Sequence, residues 1–409
     1  LSDEEYIEIF RNQFEEAVKL RLRADVPVGV YLSGGIDSCS ILGTAAKLRG
    51  SNIKAFSIGF PDEAFDEAGI AKEMAEFAGA DFNTYCITSE LVAENFVESI
   101  KHGEIISVNP HSIAKFILSK HVREAGYKVV LTGEGSDEIL GGYSHFTQDL
   151  VLYAKEYENM RNSGSLPDTF DRYEGAKDLV IPLIKADDNN TLKRRLGFIP
   201  SWLGQFLNTV SVLKSFFTED VLSRYKKLDA YGVFLDGLDV HNHLKDRHVL
   251  NQSMYTWSKS YLPGYLLSNL GDRMEMGHSV EGRVPFLDHK LVELAATLPI
   301  SLKIHNMTEK YILREAARPV ITQTVYQRKK HPFIAPPSSK KNEDPFYIFI
   351  HEYIGDHLKD IPLFNMEKVS AHLAKVHKLS GHERMTAGPF MMIMGGMVAM
   401  QEQFGLRLR

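Results

Sequence analysis

The chain has 409 residues, of which 44% are hydrophobic and 24% charged, and its formal net charge is −6. This length and composition allow a full hydrophobic core in one large or two ordinary domains, and the negative charge argues against a general nucleic-acid binder. Two cysteines, Cys39 and Cys86, are too few for a disulfide framework or a zinc ribbon. No run of 18 uncharged apolar residues and no signal peptide occurs, so we expect a cytoplasmic globular protein with no membrane partner.

The first 132 residues alternate helices with short apolar runs. An amphipathic helix is predicted over 3–23 and further helices over 37–49, 91–100 and 112–124, with another closed by Gly79. Strands are predicted over 28–32, 53–60, 81–87 and 127–132. This alternation predicts an α/β fold with a parallel, doubly wound sheet covered on both faces, whose ligands bind at the carboxyl ends of the strands.

The first strand leads into the turn Leu32-Ser33-Gly34-Gly35-Ile36-Asp37-Ser38 and then into a helix. Two adjacent glycines let backbone N–H groups converge, and the helix dipole adds partial positive charge at the same point. Such a turn suits a phosphate or pyrophosphate, and Asp37 stands where a carboxylate could bind the accompanying Mg²⁺. The alternative interpretation is a glycine turn between strand and helix that binds no ligand.

The fourth strand ends in Gly133-Glu134-Gly135-Ser136-Asp137-Glu138, which places three acids within a short loop. Like charges this close need a cation or a proton between them. We therefore expect Asp137 to face Asp37 across the strand ends around Mg²⁺, with Glu134 left as a base. The alternative is an acidic loop in which Asp137 or Ser136 caps a helix.

Strand alternation fades beyond about residue 145, and helical stripes over 203–217 and 254–267 take its place. The sequence therefore predicts an α/β domain over 1–150 and a mainly helical part over 151–409. Three polar, turn-rich segments at 158–167, 186–190 and 336–344 are predicted as surface connections or lids.

Two later stretches carry further charged residues. In the segment 271–288 we expect scaffold ion pairs, with Arg283 bound to Asp288 or Glu281. In the segment 309–316, Lys310 stands at a helix start, where a cation opposes the helix dipole. Its position indicates an anionic partner elsewhere in the fold, and a solvated lysine is the alternative.

A loose histidine cluster is formed by His241, His243 and His248. No cysteine or acidic ligand follows it at a standard zinc spacing, so it gives little support to a metal site.

Taken in order, four of these stretches resemble the synthetase domain of the asparagine synthetase family. They are Ser-Gly-Gly-x-Asp-Ser, Gly-Glu-Gly-x-Asp-Glu-x-x-Gly-Gly-Tyr, Asp-Arg-Met followed by Arg-Val-Pro-Phe-Leu-Asp, and Lys-x-x-Leu-Arg-x-Ala. The first is shared with other ATP pyrophosphatases, and the remaining three make the resemblance specific over about residues 5–337. The resemblance implies a doubly wound sheet of the PP-loop ATP pyrophosphatase type with a mainly helical C-terminal part.

The resemblance also implies a reaction: ATP adenylates a carboxylate, aspartate foremost, and ammonia attacks the acyl-adenylate to give an amide and AMP. It implies that Glu134 is the general base, that Lys310 stabilises the adenylation step, and that Asp37 and Asp137 bind Mg²⁺. The residues implied to bind ATP are Leu32, Ser33, Gly34, Gly35, Asp37 and Ser38, with the backbones of Ile58 and Gly133 holding the adenosine.

Two departures from the family pattern bear on the substrates. Nothing in the chain matches the family's N-terminal glutaminase domain, and the first residue is Leu1, so we expect a fragment or processed product that uses free ammonia or receives it from a removed or separate domain or subunit. Pro332, in the basic run 328–337, stands where many members have Gly, and this run is expected to bound the acceptor pocket or to be solvated. An acceptor other than aspartate, as in natural-product pathways, therefore stays open, as do a catalytically silent nucleotide-binding scaffold and a homodimer.

Overall fold

The computed structural model describes residues 1–50, 53–61, 67–159, 191–329, 344–357, 359, 361–376 and 381–406, without the side chains of 204–209 and 381–386. The predicted segment 186–190 and Pro332 lie outside the described residues. Residues 160–167 and 336–343 of the other two predicted segments also lie outside the described residues.

A parallel sheet of five strands forms the centre of the fold. The strands are β1 (Val28–Tyr31), β2 (Lys54–Gly59), β3 (Asp81–Cys86), β4 (Val129–Leu131) and β5 (Glu281–Arg283), in the order β3-β2-β1-β4-β5. Val30 lies opposite Ala55 on one side and Leu131 on the other. The first four strands confirm the predicted parallel sheet, whereas β5 was not predicted, because a three-residue Glu-Gly-Arg strand contains no apolar run.

The strand order explains why two distant turns meet. From β1 the chain builds β2 and β3 on one side and then returns to place β4 on the other side of β1. The turns after β1 and β4 therefore border the crevice at which the strand order reverses. In open parallel sheets this crevice is where ligands bind.

Helices cover both faces of the sheet, as predicted. Helices α1 (Asp3–Arg21), α2 (Ile36–Arg49) and α3 (Ala68–Ala78) share an apolar core with Val30 and Leu131. On the opposite face, α5 (His111–Glu124) packs against Tyr31 and Val130, and α4 (Ser89–Gly103) packs beside α5. The alternation of side chains along each strand accounts for the two cores.

The rest of the described chain is mainly helical. Three short 3₁₀ turns, at Lys155–Tyr157, Pro285–Leu287 and Arg318–Val320, and a two-stranded hairpin of β6 (Ile304–His305) and β7 (Thr308–Glu309) separate some of the helices. The helices, in chain order, are α6 (Ser136–Leu140), α7 (Ser144–Tyr153), α8 (Thr191–Leu196), α9 (Trp202–Phe216), α10 (Glu219–Arg224), α11 (Ala230–Asp236), α12 (Val240–His243), α13 (Val249–Ser258), α14 (Leu262–Asp272, a wide π-type helix), α15 (Arg273–Met276), α16 (His289–Thr297), α17 (Ile300–Lys303), α18 (Tyr311–Ala317), α19 (Gln323–Gln327), α20 (Pro345–His357), α21 (Met366–Val376) and α22 (Gly381–Phe404).

Two features of this helical part bear on the predictions. The single stripe predicted over 254–267 is divided between α13 and α14, because Pro263 cannot donate a backbone hydrogen bond and instead stands at the start of a new helix. The second part of the chain also supplies β5 to the sheet, and the division near residue 150 stays a prediction. Within the described ranges, no helix combines the length and apolarity that crossing a bilayer requires.

The segment around β5 ties α1 to the sheet. Arg283 Nε binds Glu281 Oε1 at 2.7 Å, and Arg283 Nη1 donates to the carbonyls of Arg21 and Arg23, each at 2.7 Å. Asp288 binds Arg21 at 2.5 Å. Ion pairs are therefore present in this segment, as predicted. Of the two partners predicted for Arg283, Glu281 is confirmed, whereas Asp288 pairs with Arg21.

Candidate active site

The turn after β1 is held by its own serines. Ser33 N–H donates to Ser38 Oγ at 3.1 Å, the two hydroxyl oxygens lie 3.2 Å apart, and Ser38 Oγ donates to Gly35 O at 3.2 Å. Gly34 has φ +71°, a left-handed conformation that favours glycine. Gly35 is the N-cap residue of α2 and has no side chain that could cap the helix. The N–H groups of the first helical turn therefore receive no capping hydrogen bond from this residue. A turn of this kind can bind phosphate oxygens.

A basic residue from the predicted acceptor-pocket run supports the same turn. Arg328 Nη1 donates to Gly34 O at 3.1 Å, and Arg328 Nη2 pairs with Glu67 Oε1. Arg328 is therefore a structural partner of the loop rather than a solvated residue. The remainder of that run after Lys329 lies outside the described residues.

Two of the positions assigned to ATP, one in the loop and one at the adenosine, lie at the same edge of the sheet. Leu32 has a buried side chain, and its N–H donates to Phe56 O at 2.8 Å, which extends the pairing of β1 with β2. Ile58 lies opposite Tyr85, one residue before the end of β2. Their roles in holding a nucleotide stay predictions.

The turn after β4 packs directly on the turn after β1. A Cβ at Gly133 would lie 2.9 Å from Asp37 Cβ and 3.2 Å from the backbone nitrogen of Ser38, so the two turns could not approach as closely with any other residue. Glu134 follows at once, with its N–H donated to Thr132 Oγ1 at 3.3 Å. The structure thus brings the predicted phosphate loop and the predicted base to one place.

The acidic loop does not use its side chains as helix caps. Gly135, with φ +91°, stands at the N-cap of α6, which contradicts the interpretation of Ser136 or Asp137 as the capping residue. Ser136 Oγ instead donates to Asp37 Oδ1 at 2.7 Å. The side chains are therefore directed at the neighbouring turn.

Lys310 joins the two predicted metal carboxylates. Its side chain is 2% exposed, and its Nζ lies 2.6 Å from both oxygens of Asp37 and 2.6 Å from Asp137 Oδ1. The expectation of an anionic partner for Lys310 is confirmed, and its interpretation as a solvated lysine is wrong. Asp37 and Asp137, from the ends of two different strands, meet at one cation.

Local backbone geometry delivers Lys310 to this point. The hairpin between β6 and β7 turns through Asn306 and Met307, whose φ angles are +48° and +61°, and Lys310 itself has φ +54° at the N-cap of α18. A Cβ at Gly142 would lie 2.0 Å from both Lys310 Cε and Asp137 Oδ1. Gly142 therefore leaves the space in which the ion pair forms.

The two carboxylates fit a magnesium ion that is shared with a nucleotide. One ammonium offsets only one of the two negative charges, and carboxylate oxygens are the ligands that Mg²⁺ prefers. Within the described ranges no three His, Cys, Asp or Glu side chains converge as a metal site. Mg²⁺ commonly takes one or two carboxylates and completes its shell with phosphates and water, so Asp37 and Asp137 suit that mode of binding.

Glu134 lies in an environment suited to a base. Burial, followed by the charges of Glu275, Asp137 and Asp37, raises its pKa, and the nearby Lys115 opposes this shift. Lys115 and Glu275 were not among the predicted site residues. Glu275 belongs to the charged stretch 271–288, which gave a signal, whereas a lysine within an apolar helical stripe gave none.

The histidines at 241, 243 and 248 do not act together. His243 Nδ1 lies 2.8 Å from the Tyr255 hydroxyl, and His248 Nε2 lies 2.9 Å from Glu156 Oε1. His243 and His248 therefore contact different elements of the fold.

Comparison with known proteins points to one family. The family model described as asparagine synthase matches residues 10–396. The chain is 32% identical to amidase chyE of Penicillium rubens and 30% identical to amidase chry2 of Gibberella zeae, in each case over 82% of this chain and 53% of the relative. It is 29% identical to asparagine synthetase [glutamine-hydrolyzing] 1 of Bacillus subtilis, over 82% of this chain and 50% of that protein. The chain therefore spans about half the length of the curated relatives it matches.

Proposed function

The chain belongs to the asparagine synthase family, and on this premise we propose that it is an ATP-dependent, AMP-forming synthetase that converts a carboxylate into an amide with ammonia. The observation that carries the proposal is the junction of Asp37, Lys310 and Asp137 at the crevice between β1 and β4. A phosphate-binding turn, a pair of metal-type carboxylates and a buried lysine are the groups that cleavage of ATP between its α- and β-phosphates requires.

In the proposed adenylation step, the turn over residues 32–38 binds the phosphates through backbone N–H groups and serine hydroxyls. A carboxylate oxygen of the acceptor attacks the α-phosphorus, and pyrophosphate leaves. Lys310 offsets the negative charge that develops at the phosphates, and its burial strengthens this interaction. Asp37 and Asp137 would hold Mg²⁺, which would supply charge neutralisation for the departing pyrophosphate.

In the proposed amidation step, ammonia attacks the acyl carbon and AMP leaves with the bridging oxygen. The attacking nitrogen must lose a proton, and Glu134 is the base that accepts it. A carboxylate with a raised pKa is a better proton acceptor near neutral pH than an ordinary glutamate. Ile58 and Gly133 are the proposed backbone contacts of the adenosine.

For the acceptor we propose aspartate first, with asparagine as the product. A different carboxylate is the second candidate, because two of the relatives matched over the same share of the chain are named amidases. Both acceptors require the same residues at the crevice. They differ only in the side of the pocket that holds the rest of the acceptor.

The test is incubation of the protein with Mg-ATP, ¹⁵N-ammonium and a panel of carboxylates that includes L-aspartate. We expect acceptor-dependent formation of AMP and pyrophosphate and incorporation of ¹⁵N into an amide, with the preferred acceptor identified by the largest rate. The matched control is Glu134→Gln, which keeps the shape of the site and should form little amide. Formation of ADP and phosphate contradicts the mechanism, and nucleotide binding without turnover of any carboxylate supports a silent scaffold instead.

A further inference from the structure

A lysine outside the predicted site lies against the last residue of β1. Lys115 is on α5, and its side chain is 14% exposed. Its Nζ lies 3.9 Å from the centroid of the Tyr31 ring and 3.3 Å from Glu275 Oε1. Apart from this ion pair, Glu275 Oε1 has no hydrogen-bond partner among the described residues, and the Tyr31 hydroxyl has none either.

The protein makes specific room for this ion pair. Glu275 is 2% exposed, and a Cβ at Gly282 would lie 1.9 Å from Glu275 Oε2. Gly282 therefore leaves the space that the buried carboxylate occupies. A buried ion pair seldom stabilises a fold more than well-packed apolar residues would, and incomplete hydrogen bonding weakens it further. Stability alone is a poor explanation for Lys115 and Glu275.

The location of Lys115 suggests another explanation. Its charge acts on Glu134 and opposes the effect of the surrounding carboxylates on that residue. Lys310, the buried lysine at the crevice, is already engaged by Asp37 and Asp137. Lys115 is thus a cation that contacts Tyr31, the last residue of β1, immediately before the turn that begins at Leu32.

We propose that Lys115 binds the reacting carboxylate of the acceptor, and that Glu275, in the space left by Gly282, positions Lys115 for this contact. The inference rests on the proposed function, since it concerns the acceptor of that reaction. It predicts that the protein distinguishes a carboxylate from the corresponding neutral amide through one ammonium group. The Tyr31 ring contacts the Lys115 ammonium in a cation–π arrangement.

The experiment measures the dissociation constants of L-aspartate and L-asparagine by calorimetry, in the presence of Mg²⁺ and the non-cleavable analogue α,β-methylene-ATP. If the panel of carboxylates identifies another acceptor, that acid and its amide replace L-aspartate and L-asparagine in this experiment. We expect Lys115→Met to weaken binding of the acid by about 10- to 100-fold, the value of one charge-assisted hydrogen bond. Binding of the amide, which carries no charge at the reacting group, should change less than about threefold. Lys120→Met, an exposed lysine on the same helix, is the matched control and should change neither constant.

A double variant separates recognition from stability. Lys115→Met leaves the charge of Glu275 buried without a partner, and Lys115→Met/Glu275→Gln removes that charge while preserving its shape. We expect the double variant to regain thermal stability and still bind the acid weakly. Recovery of wild-type affinity for the acid in the double variant, or equal weakening of acid and amide, overturns the assignment. Absence of pyrophosphate release from the wild-type protein with every carboxylate overturns the proposed function and the assignment together.

Discussion

Replacement of Lys310 by Met is the most informative single change, because it removes one charge and retains most of the side-chain volume. In the native site the ammonium lies 2.6 Å from oxygens of both Asp37 and Asp137, so those oxygens lie no more than about 5 Å apart. Without the cation, two unit charges at about 5 Å repel each other by ~3 kcal/mol at an effective dielectric constant of about 20. The variant also loses a donor that stabilises transition-state charge, which typically costs about 10²- to 10³-fold in kcat.

We therefore expect Lys310→Met to lower kcat for pyrophosphate release by at least about 10³-fold at saturating ATP and acceptor. Exchange of labelled pyrophosphate into ATP isolates the adenylation step, which should fall by the same factor. Because breaking a buried ion pair also costs about 3–5 kcal/mol of stability, the rate is normalised to the folded fraction measured by circular dichroism.

The matched control is Lys303→Met. Lys303 is as deeply buried as Lys310, with burial lowering its pKa to about 8, but its Nζ contacts Asn251 Oδ1 at 3.4 Å instead of a carboxylate. We expect the kcat of Lys303→Met to stay within about threefold of wild type, because this buried residue has no role in the chemistry. A folded Lys310→Met protein with kcat within tenfold of wild type, or equal losses in the two variants, would refute the reasoning.

Three further predictions test separate parts of the site and the fold. Glu134→Gln should lower amide formation by about 10²- to 10⁴-fold while pyrophosphate exchange persists, and loss of both in parallel would contradict the role of Glu134 as base. Because burial raises the pKa of Glu134, the kcat/KM of the wild-type protein should rise with pH, with a midpoint above the ordinary glutamate pKa of about 4.3. Gly142→Ala should lower the rate of amide formation by at least about 10²-fold, because the added Cβ displaces the ion pair of Lys310 and Asp137. Gly264→Ala, where an added Cβ meets nothing within 4 Å, should leave that rate unchanged. Equal rates in the two variants would refute the packing explanation. Burial raises the pKa of Asp149 to about 7, so the folded state holds that proton more tightly than the unfolded state does. The stabilisation from this group is therefore complete below the pKa of the unfolded state, about 4. It is lost as the pH rises from about 4 to 7, at about 1.4 kcal/mol per pH unit. Asp149→Asn should remove this component, and parallel pH profiles of urea unfolding for wild type and variant would contradict it.

Local sequence patterns predicted the organising features of the fold. The apolar run before Ser33 and the adjacent glycines specify a strand and a turn within a few residues, and the same holds for the strand before Gly133. The convergence of Asp37 and Asp137 also followed, because both stand at the carboxyl ends of parallel strands. The strands and turns needed only the chain neighbours of each motif, whereas the convergence needed the parallel sheet as well.

Features that depend on distant partners were missed. Strand β5 has three residues and exists because Glu281–Arg283 pairs with β4, so neither periodicity nor propensity could reveal it. The alternative interpretation of Ser136 or Asp137 as the N-cap of α6 is wrong, because Gly135 holds that position and Ser136 donates to Asp37 instead. Lys115 was missed because its significance comes from Glu275, which is remote in the chain.

The central claim is that this site joins a carboxylate to the α-phosphate of ATP, and isotope transfer tests it most directly. The preferred acceptor, labelled with ¹⁸O in its carboxyl group, is turned over with Mg-ATP and ammonium, and the AMP is analysed by mass spectrometry. Attack by the carboxylate on the α-phosphorus followed by amide formation predicts one ¹⁸O in each molecule of AMP. Amide formation accompanied by unlabelled AMP, or by ADP in its place, would contradict the account.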